Sequence, residues 1–537
     1  MDFNFPPIIL KIFSLLHKNN LNAYLVGGVV RDLLIEKYHN VPLKNKDYDI
    51  EVFGISLSNL ETILRSNLDC TITREGESFS VLKVYTKESN DPIDISIPRT
   101  EITTGNKYTD FNITPDPNLS VKQAGIRRDI TINAIYYNPT TKQICDPFNG
   151  IKDIKNKTIK AVNNKTFTQD PLRVLRVMQF AGRFGFSVAP ETINLCKKMV
   201  EDNMLQALSK DRVREEFLKF AYKTNYPALS IEFLRQVNLL RVYMPEIHNL
   251  QVVLQTPSWH PEGNVYIHTL QVINAGADIA NREGLSSYER AILILACLYH
   301  DTGKALVTVY DKKKKVYKAH GHADKGVQLV LNFACRINLP RYLVKSLPVL
   351  VKYHMHLPVL YYNHKNGQDQ TKAFNRIALK LNDVGVDIKL LFWLVEADRR
   401  GIKPSDNNNF QPYPYSALPE FREFKNWFDN MINSLANLQI LKKELITGKW
   451  VLKVIPKKQG VWVGAVKEFI KDLYLTKSFT DDKSRVQLYT ADGRVQDFVV
   501  DNVYRFLESK VNGNYKKVIE DENYRDKLIE EFIKRFT

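Results

Sequence analysis

Two aspartates one residue apart, Asp47 and Asp49 in Lys46-Asp-Tyr-Asp-Ile-Glu-Val-Phe53, are the first residues in this chain whose spacing suggests chemistry. The segment reads as a β-strand, and strand alternation puts both carboxylates on one face. Two like charges so placed repel unless a cation lies between them. A hard divalent ion such as Mg²⁺ fits, and a pair of ions ~3.5–4 Å apart would suit in-line phosphoryl transfer. Asp94, in the strand-like Ile93-Asp-Ile-Ser-Ile97, can supply a third carboxylate. A D-x-D alone also fits a solvated strand end. What precedes it adds weight: in Tyr24-Leu-Val-Gly27-Gly28-Val-Val-Arg31-Asp32 a β-run ends in a glycine pair and opens a helix. Outward backbone N–H groups at such a turn suit a triphosphate, and Arg31 adds a cation one turn later.

The second constellation is histidine. Seven of the eleven histidines lie between residues 260 and 356, at 260, 268, 300, 320, 322, 354 and 356. His300-Asp301 closes an apolar helix, where a charged pair is costly without a cation or hydrogen-bond partners. His268, His322 and His354 fall on separate predicted helices, and Asp398 adds a late carboxylate. Mixed imidazole and carboxylate ligands suit Ni²⁺, Mn²⁺, Fe or Zn²⁺, and water activated there hydrolyses phosphoesters.

The elements that must position these groups fall into two regimes. From about 22 to 150, short β-rich runs (23–26, 48–53, 80–84, 93–97) alternate with helices. Beyond about 165 the pattern is helical, as in 171–184, 210–222 and 288–299. The fold class expected is α+β: a head with a mixed sheet, then all-α segments. Punctuation falls at 256–263, 311–318 and 401–418, and the domains expected are 1–162, 163–250, 251–401 and 402–537. The run Asp311-Lys-Lys-Lys-Lys-Val-Tyr-Lys318 reads as a solvated hairpin tip.

The 537 residues carry 76 Lys+Arg against 59 Asp+Glu, a formal charge of +17. Such a surplus favours a polyanion through counterion release, and equally fits a solubility charge. Five scattered cysteines without a CxxC argue against a disulfide framework and a zinc ribbon. The N-terminus has no basic n-region, and the longest apolar run, 291–299, is far short of the ~20 residues a membrane span needs. A cytoplasmic protein with no membrane partner is expected.

In order and spacing, the segments GGVVRD, DYD, DISIPRTE, RRDITINAI (127–135), DPFNG (146–150) and DPLRVLR (170–176) resemble class II nucleotidyltransferases. That family contains the CCA-adding enzymes and bacterial poly(A) polymerases, and the resemblance is strong over about 20–250. It continues into an order H…HD…H…H…D similar to the HD phosphohydrolase superfamily, as in bacterial CCA-adding enzymes that carry an HD domain. The resemblance implies template-independent addition of C, C and A to tRNA 3′ ends from CTP and ATP. A-only, CC-only or poly(A) addition stay open, as does an HD phosphohydrolase whose head only binds nucleotide.

By the same resemblance, Asp47 and Asp49 are the Mg²⁺ pair and Asp94 the third carboxylate. Gly27, Gly28 and Arg31 meet the triphosphate, Arg128 and Asp129 hold the nucleotide, and Asp146 and Gly150 form a hinge. Asp170, Arg173 and Arg176, at i, i+3 and i+6 on a predicted helix and within about 120° of one face, read the base. A carboxylate accepting from an exocyclic amine beside a guanidinium donating to a ring nitrogen selects C and A over U and G; on spacing alone the three fit a surface ion pair. Gln169 and Gln179 stand where the family usually has Glu and Arg. His268, His300, Asp301, His322, His354 and Asp398 are the implied HD ligands for Ni²⁺ or another divalent transition metal, active in phosphatase and 2′,3′-cyclic phosphodiesterase chemistry. An HD fold kept as a metal-free scaffold is the alternative. His260, His320 and His356 are extra. A specificity loop is expected around 70–80, and 402–537 is expected to contact tRNA; its aromatic, lysine-rich tail (Trp427, Trp450, Trp462, Lys457, Lys458) also fits a non-catalytic tRNA-binding protein.

Overall fold

The computed structural model describes residues 3–41, 47–75, 81–89, 91–103, 111–404, 410–436, 447–475 and 497–536. They form two compact units. One comprises Met1–Gln251, Ala280–Ala291 and Phe333–Leu339; the other comprises Val252–Ile279, Ile292–Asn332 and Pro340–Thr537.

The first unit begins with helix Pro7–Lys18, which buries Ile8, Ile9, Ile12, Phe13 and Leu16. That spacing of three and four is the apolar stripe of an amphipathic helix. Its sheet is built from β1 (Asn22–Val26), β2 (Asp49–Phe53), β3 (Cys70–Glu75), β4 (Val81–Thr86) and β5 (Ile93–Ser96). A separate pair, β6 (Arg99–Thr103) and β7 (Phe111–Pro115), precedes β8 (Tyr136–Asn138) and β9 (Gln143–Cys145). The strand order is β3-β4-β5-β2-β1-β8-β9, antiparallel throughout except for the parallel pair β2/β5. Leu25, Ile50, Val52, Leu82, Val84 and Ile95 are fully buried. Each such side chain contributes roughly 1.5–3 kcal/mol by leaving water. In β5 the alternation is clean: Ile93 and Ile95 face the core, which turns Asp94 to the other side.

Past the short parallel pair β10 (Thr158–Ile159) and β11 (Ser187–Val188), the first unit is helical, with helices Leu172–Phe184, Pro190–Glu201, Lys210–Lys223 and Pro227–Gln236. Helix Leu172–Phe184 buries Val174, Val177, Met178 and Ala181. Gly182 lets Pro227–Gln236 approach closely, since a Cβ there would sit 2.1 Å from Ser230 Oγ.

The second unit is nearly all α. Its exception is a hairpin of β12 (Val309–Asp311) and β13 (Val316–Lys318). The clustered histidines lie on or beside helices Val265–Arg282, Ser287–Tyr299, His322–Arg336 and Arg341–Tyr353, and Asp398 lies on Ile388–Arg400. Of the last helices, Val461–Tyr474, Asp497–Val511, Tyr515–Glu520 and Glu522–Phe536, the first and the last are tied to helix Thr371–Asn382 by charge. Arg376 donates from Nε to Asp472 (3.1 Å) and from Nη1 to Asp526 (2.9 Å), and Arg525 Nε also donates to Asp472 (2.5 Å). Asp472 and Arg525 are each 3% exposed. Removing one partner of so buried a network strands the other, at a cost of several kcal/mol. Residues 497–536 thus have a packing role. Trp427 and Trp462, which as part of an aromatic, lysine-rich tail suggest RNA contact, are buried among Phe424, Phe374 and Tyr504.

Candidate functional site

In the first unit, sheet register brings the key residues into one row. Val26, the last residue of β1, pairs with Asp49, the first of β2, and Asp49 pairs with Asp94 on β5. The glycine turn therefore springs from the strand position beside Asp49. Gly27 has φ 70° and ψ −128°, and a Cβ on it would lie 3.3 Å from both Asp49 Oδ2 and Arg128 Nη1. Only glycine takes that backbone comfortably and leaves those groups room. Gly28 opens helix Gly28–His39.

The strand reading of 46–53 needs correcting at its start. β2 begins at Asp49, so Asp47 is not a strand residue and is exposed, and no strand alternation aligns the pair. What holds the segment is a bond from the Asp94 backbone N–H to Tyr48 O (3.0 Å). Burial pushes the Asp49 carboxyl up to about 6; Arg128 opposes this, while Asp94, Asp47 and Glu51 add to it. Asp94 is raised by burial as well, and its Oδ1 is buried with no hydrogen-bond partner. A repelling acidic set with an orphaned oxygen fits a divalent cation. Yet among the described residues, the trios of ligating atoms within 4.8 Å of one another are His260–Glu262–His268, His268–His300–Asp398 and Asp301–His322–His354; the head carboxylates do not form such a trio.

Asp49 lines a cavity of about 550 Å³ that also takes in Gly27, Gly28, Arg31, Arg128 and Asp129 from the head, and Asp170, Arg173 and Arg176 beyond it. Asp47 and Asp94 are not among its lining residues. Ten of the nineteen lining residues are Lys or Arg and three are Asp. The crowding is felt: burial and then Arg31 lower the Arg183 pKa, and burial and then Arg183 lower that of Lys223. A polyphosphate would relieve that repulsion.

Within the cavity the cations are held in fixed poses. Arg31 is buried, donates to Asp32 Oδ1 (2.6 Å) and Asn133 Oδ1 (2.7 Å), and lies over the Phe184 ring (4.8 Å). Asp129 accepts from Arg176 Nε (2.8 Å), Asn133 Nδ2 (2.9 Å) and the Ile130 N–H (2.9 Å). Burial works against its charge, but Arg176 and Asn133 hold its carboxyl well below the usual range. Asp170 lies before helix Leu172–Phe184: its Oδ1 accepts from the Leu172 N–H (3.1 Å), and both its oxygens accept from Arg212 Nη2 (3.3 Å each). Arg173 is spent on the carbonyls of Thr166 (2.8 Å) and Arg127 (2.5 Å). Asp170, Arg173 and Arg176 thus share a cavity but not one uniform helical face, and Arg212 is the guanidinium nearest Asp170 in this state. Asp146 accepts from the N–H groups of Gly150 (2.7 Å) and Ile151 (2.9 Å), capping helix Gly150–Lys155. Arg127, Asn133, Arg183, Arg212 and Lys223 escaped the sequence reading. Only the RRD and TINA strings hinted at the first two. The strand face carrying Glu51, which accepts from Arg127 (2.9 Å), gave no sign.

The second unit gathers all six predicted ligands. His268 Nε2 is 2.9 Å from Asp398 Oδ1, and His300 Nε2 is 3.7 Å from the same oxygen. Asp301 stands between the two trios that surround it: Oδ2 is 3.3 Å from His300 Nε2, and Oδ1 is 3.2 Å from His322 Nε2. His322 and His354 meet at 3.1 Å between their Nε2 atoms. The far nitrogens are tied down. Nδ1 of His300, His322 and His354 each faces a carbonyl three residues back (Cys297, Ala319, Val351; 2.7–2.8 Å), and His268 Nδ1 meets Glu262 Oε1 (2.8 Å). Such contacts fix the tautomer that aims Nε2 at a metal. Burial works against a charge on His268, yet Asp398 and Glu262 raise it to about 9. Burial and His300 push His354 down to about 3, leaving its imidazole neutral. Against its burial, Asp301 is held well below the usual carboxylate range by Lys304 (2.7 Å) and His300. Glu262 and Lys304 were not foreseen. His260 contacts Glu262 (2.8 Å), while His320 lines the adjoining cavity.

Among the described residues no helix is long and apolar enough to cross a membrane. Comparison with known proteins agrees with this two-site layout. Residues 23–160 match the poly A polymerase head domain, 185–251 a probable RNA and SrmB-binding site of polymerase A, and 265–381 the HD domain. The multifunctional CCA protein of Mannheimia succiniciproducens is 34% identical over 342 residues, 63% of this chain and 75% of that protein. A CCA-adding enzyme of Bacillus stearothermophilus, solved with CTP, superposes with TM-score 0.56 at 18% identity, covering 96% of this chain and all of that one. A Thermotoga maritima enzyme solved with tRNA gives TM-score 0.50 at 21% identity, over 94% and 96%. These structures share the fold, and the curated relative fixes the lineage: the chain belongs to the CCA-adding nucleotidyltransferase family, in the branch that carries an HD domain.

Proposed function

We propose that this chain adds C, C and A to the 3′ ends of tRNA from CTP and ATP in the cytoplasm, without a nucleic-acid template. Its HD site would hydrolyse phosphomonoesters and 2′,3′-cyclic phosphates at the same ends. The observation that carries the first activity is Asp49, paired with Asp94 and set beside the glycine turn, lining a cavity dominated by cations. In this reading residues 1–162 form the head, 163–250 the neck that meets base and RNA, 251–401 the HD domain and 402–537 a body that contacts tRNA.

Asp49 and Asp94, with Asp47 from the preceding segment, would hold Mg²⁺, which supplies charge neutralisation at the transferring phosphate and acidifies the attacking hydroxyl. The chain's own groups do the positioning. The N–H groups of the Gly27–Gly28 turn face the triphosphate. Arg31, locked by Asp32, Asn133 and Phe184, can lend charge without losing side-chain freedom on binding. Arg128, which with Asp49 closes on Gly27, would meet the nucleotide's sugar and phosphates, and the Asp129–Arg176 pair would brace the wall beside them.

Base choice falls to Asp170, accepting from the exocyclic amine of C or A, with Arg173 or the adjacent Arg212 donating to the ring nitrogen. Asp170→Ala should therefore narrow the preference for CTP over UTP by about 10–100-fold, on the ~1–3 kcal/mol of one well-made polar pair. Competition between CTP and UTP on one tRNA reads this directly. Unchanged selectivity would remove Asp170 from the template.

The HD site would hold Ni²⁺ or another divalent transition metal on the trios His268–His300–Asp398 and Asp301–His322–His354, with Asp301 between them. When bound, the ion would activate water toward a phosphate ester. Lys304, 2.7 Å from Asp301 and 2.9 Å from Gln255, is placed to meet the ester's charge.

The function is tested by incubating the protein with tRNA lacking its three terminal nucleotides. CTP alone should add two residues, ATP alone none, and the two together three. A single A, a stop after CC, or a long A tail would each name a different member of the family, and no incorporation would refute the assignment.

A further inference from the structure

Two features of the second unit take no part in the chemistry above: hairpin β12–β13 and Trp259. Four consecutive lysines, 312–315, form the hairpin turn. Asp311 Oδ1 organises it by accepting from the N–H groups of Lys313 (2.9 Å) and Lys314 (3.0 Å). All four side chains are exposed, and none has an ion-pair partner among the described residues. The hairpin's base, by contrast, is fixed. The Tyr317 N–H donates to Thr256 Oγ1 (2.8 Å), and the Tyr310 and Tyr317 rings stand 4.9 Å apart.

Tyr317, Lys318 and Trp259 line a cavity of about 730 Å³ that also contains Asp301, His322 and Asp398. Trp259 is 58% exposed there, so its indole face is open to a stacking partner rather than used for packing. Arg399, also lining the cavity, has no anionic partner among the described residues, whereas the acidic Glu423 is engaged by Tyr361 (3.3 Å) and Lys365 (3.4 Å). The lysine tip lies up to three strand residues, ~10 Å, from the cavity-lining end of β13. A mononucleotide filling the cavity would not reach it; a strand continuing out of the cavity would.

We propose that this face is the entry groove for a single-stranded RNA 3′ end. Trp259 stacks the terminal base, the terminal phosphate lies at the histidine–aspartate cluster, and Lys312–Lys315 grip the phosphates upstream. An open aromatic face beside a track of unpaired cations is the combination that binds single strands without regard to sequence. The proposal rests on the phosphohydrolase reading of the HD site.

The test uses the full chain reconstituted with Ni²⁺ and two substrates: cytidine 2′,3′-cyclic phosphate, and a five-nucleotide RNA ending in the same group. Lys312→Gln, Lys313→Gln, Lys314→Gln and Lys315→Gln together should raise KM for the RNA at least tenfold and flatten its dependence on salt. The mononucleotide should be hydrolysed as before. Trp259→Ala should raise KM for both substrates, and Trp259→Phe should restore most of the loss. An RNA KM unmoved by the quadruple change, or moved equally for the mononucleotide, overturns the groove. If the wild-type chain hydrolyses neither substrate, the phosphohydrolase reading fails by itself. The groove is then judged by photo-crosslinking RNA bearing a 3′-terminal 4-thiouridine: crosslinks in 256–260 or 309–318 uphold it, and crosslinks confined to the head overturn it.

Discussion

Asp49→Ala should lower the rate of nucleotide incorporation into tRNA at least about 10³-fold, a loss of about 4 kcal/mol in transition-state stabilisation. Asp49 is central to the acidic row: it faces Asp94 across the parallel pair, lies beside the glycine turn, and lines the cationic cavity. Without it no two carboxylates flank the turn. Binding of tRNA should change little, because the ten cations of the cavity remain. Filter binding and single-turnover incorporation on the same preparation separate the two effects.

Asp49 also carries a stability signature. Its folded carboxyl lies near 6 against about 3.8 for the free side chain, so the folded state holds the proton more tightly. In metal-free protein the penalty for ionising it grows as pH rises from about 4 to 6 and is complete above that. Asp49→Asn should therefore raise the metal-free melting temperature at pH 7–8 and leave it unchanged near pH 4. A lower melting temperature at pH 7 would mean that the carboxylate has a stabilising partner instead.

His300→Ala should abolish phosphohydrolase activity and leave nucleotide incorporation within about twofold of wild type. His300 is fully buried, its Nδ1 faces the Cys297 carbonyl, and its Nε2 faces both Asp301 and Asp398, so its imidazole serves both carboxylates at once. Truncation leaves those acids facing a void, and some loss of stability is expected alongside. His300→Gln, which keeps volume and polarity, controls for that. Both variants should lose hydrolysis of cyclic phosphate, measured beside incorporation from CTP. Loss of both activities together in the glutamine variant would contradict two independent sites.

How much of this was legible in the sequence differs between the sites. The HD ligands could be read because histidine is scarce in this chain, eleven residues of 537, and seven of them cluster in sequence around one His-Asp pair that closes an apolar helix. The strands around Asp49 and Asp94 were also readable, because both segments alternate polar and apolar residues; β5 keeps that alternation in its burial, whereas β2 buries Glu51 along with its apolar neighbours. What alternation could not give was the start of β2. Asp47 stops short of the strand, and its segment is tethered instead by a backbone bond between Asp94 and Tyr48.

The base-reading trio was only half legible. The i, i+3, i+6 spacing presumed a helix already formed at Asp170, but Asp170 caps that helix from outside. The partner nearest it, Arg212, comes from a helix some forty residues on. Long-range pairings of this kind, including Arg31 with Asn133 and Asp129 with Arg176, leave no local periodicity to detect. The tail was hard to read for a simpler reason. Aromatic and lysine content looks alike whether a tryptophan stacks on RNA or fills a core, and Trp427 and Trp462 fill a core.

The most direct test is a crystal soaked with Mn²⁺ and a non-hydrolysable CTP analogue, examined by anomalous diffraction. An anomalous peak bridging Asp49 and a second carboxylate, Asp47 or Asp94, at roughly 2.0–2.3 Å from their oxygens and in contact with the triphosphate is the predicted result. Peaks confined to the histidine–aspartate cluster, with nucleotide bound and the Asp49 carboxylate bare, would contradict it.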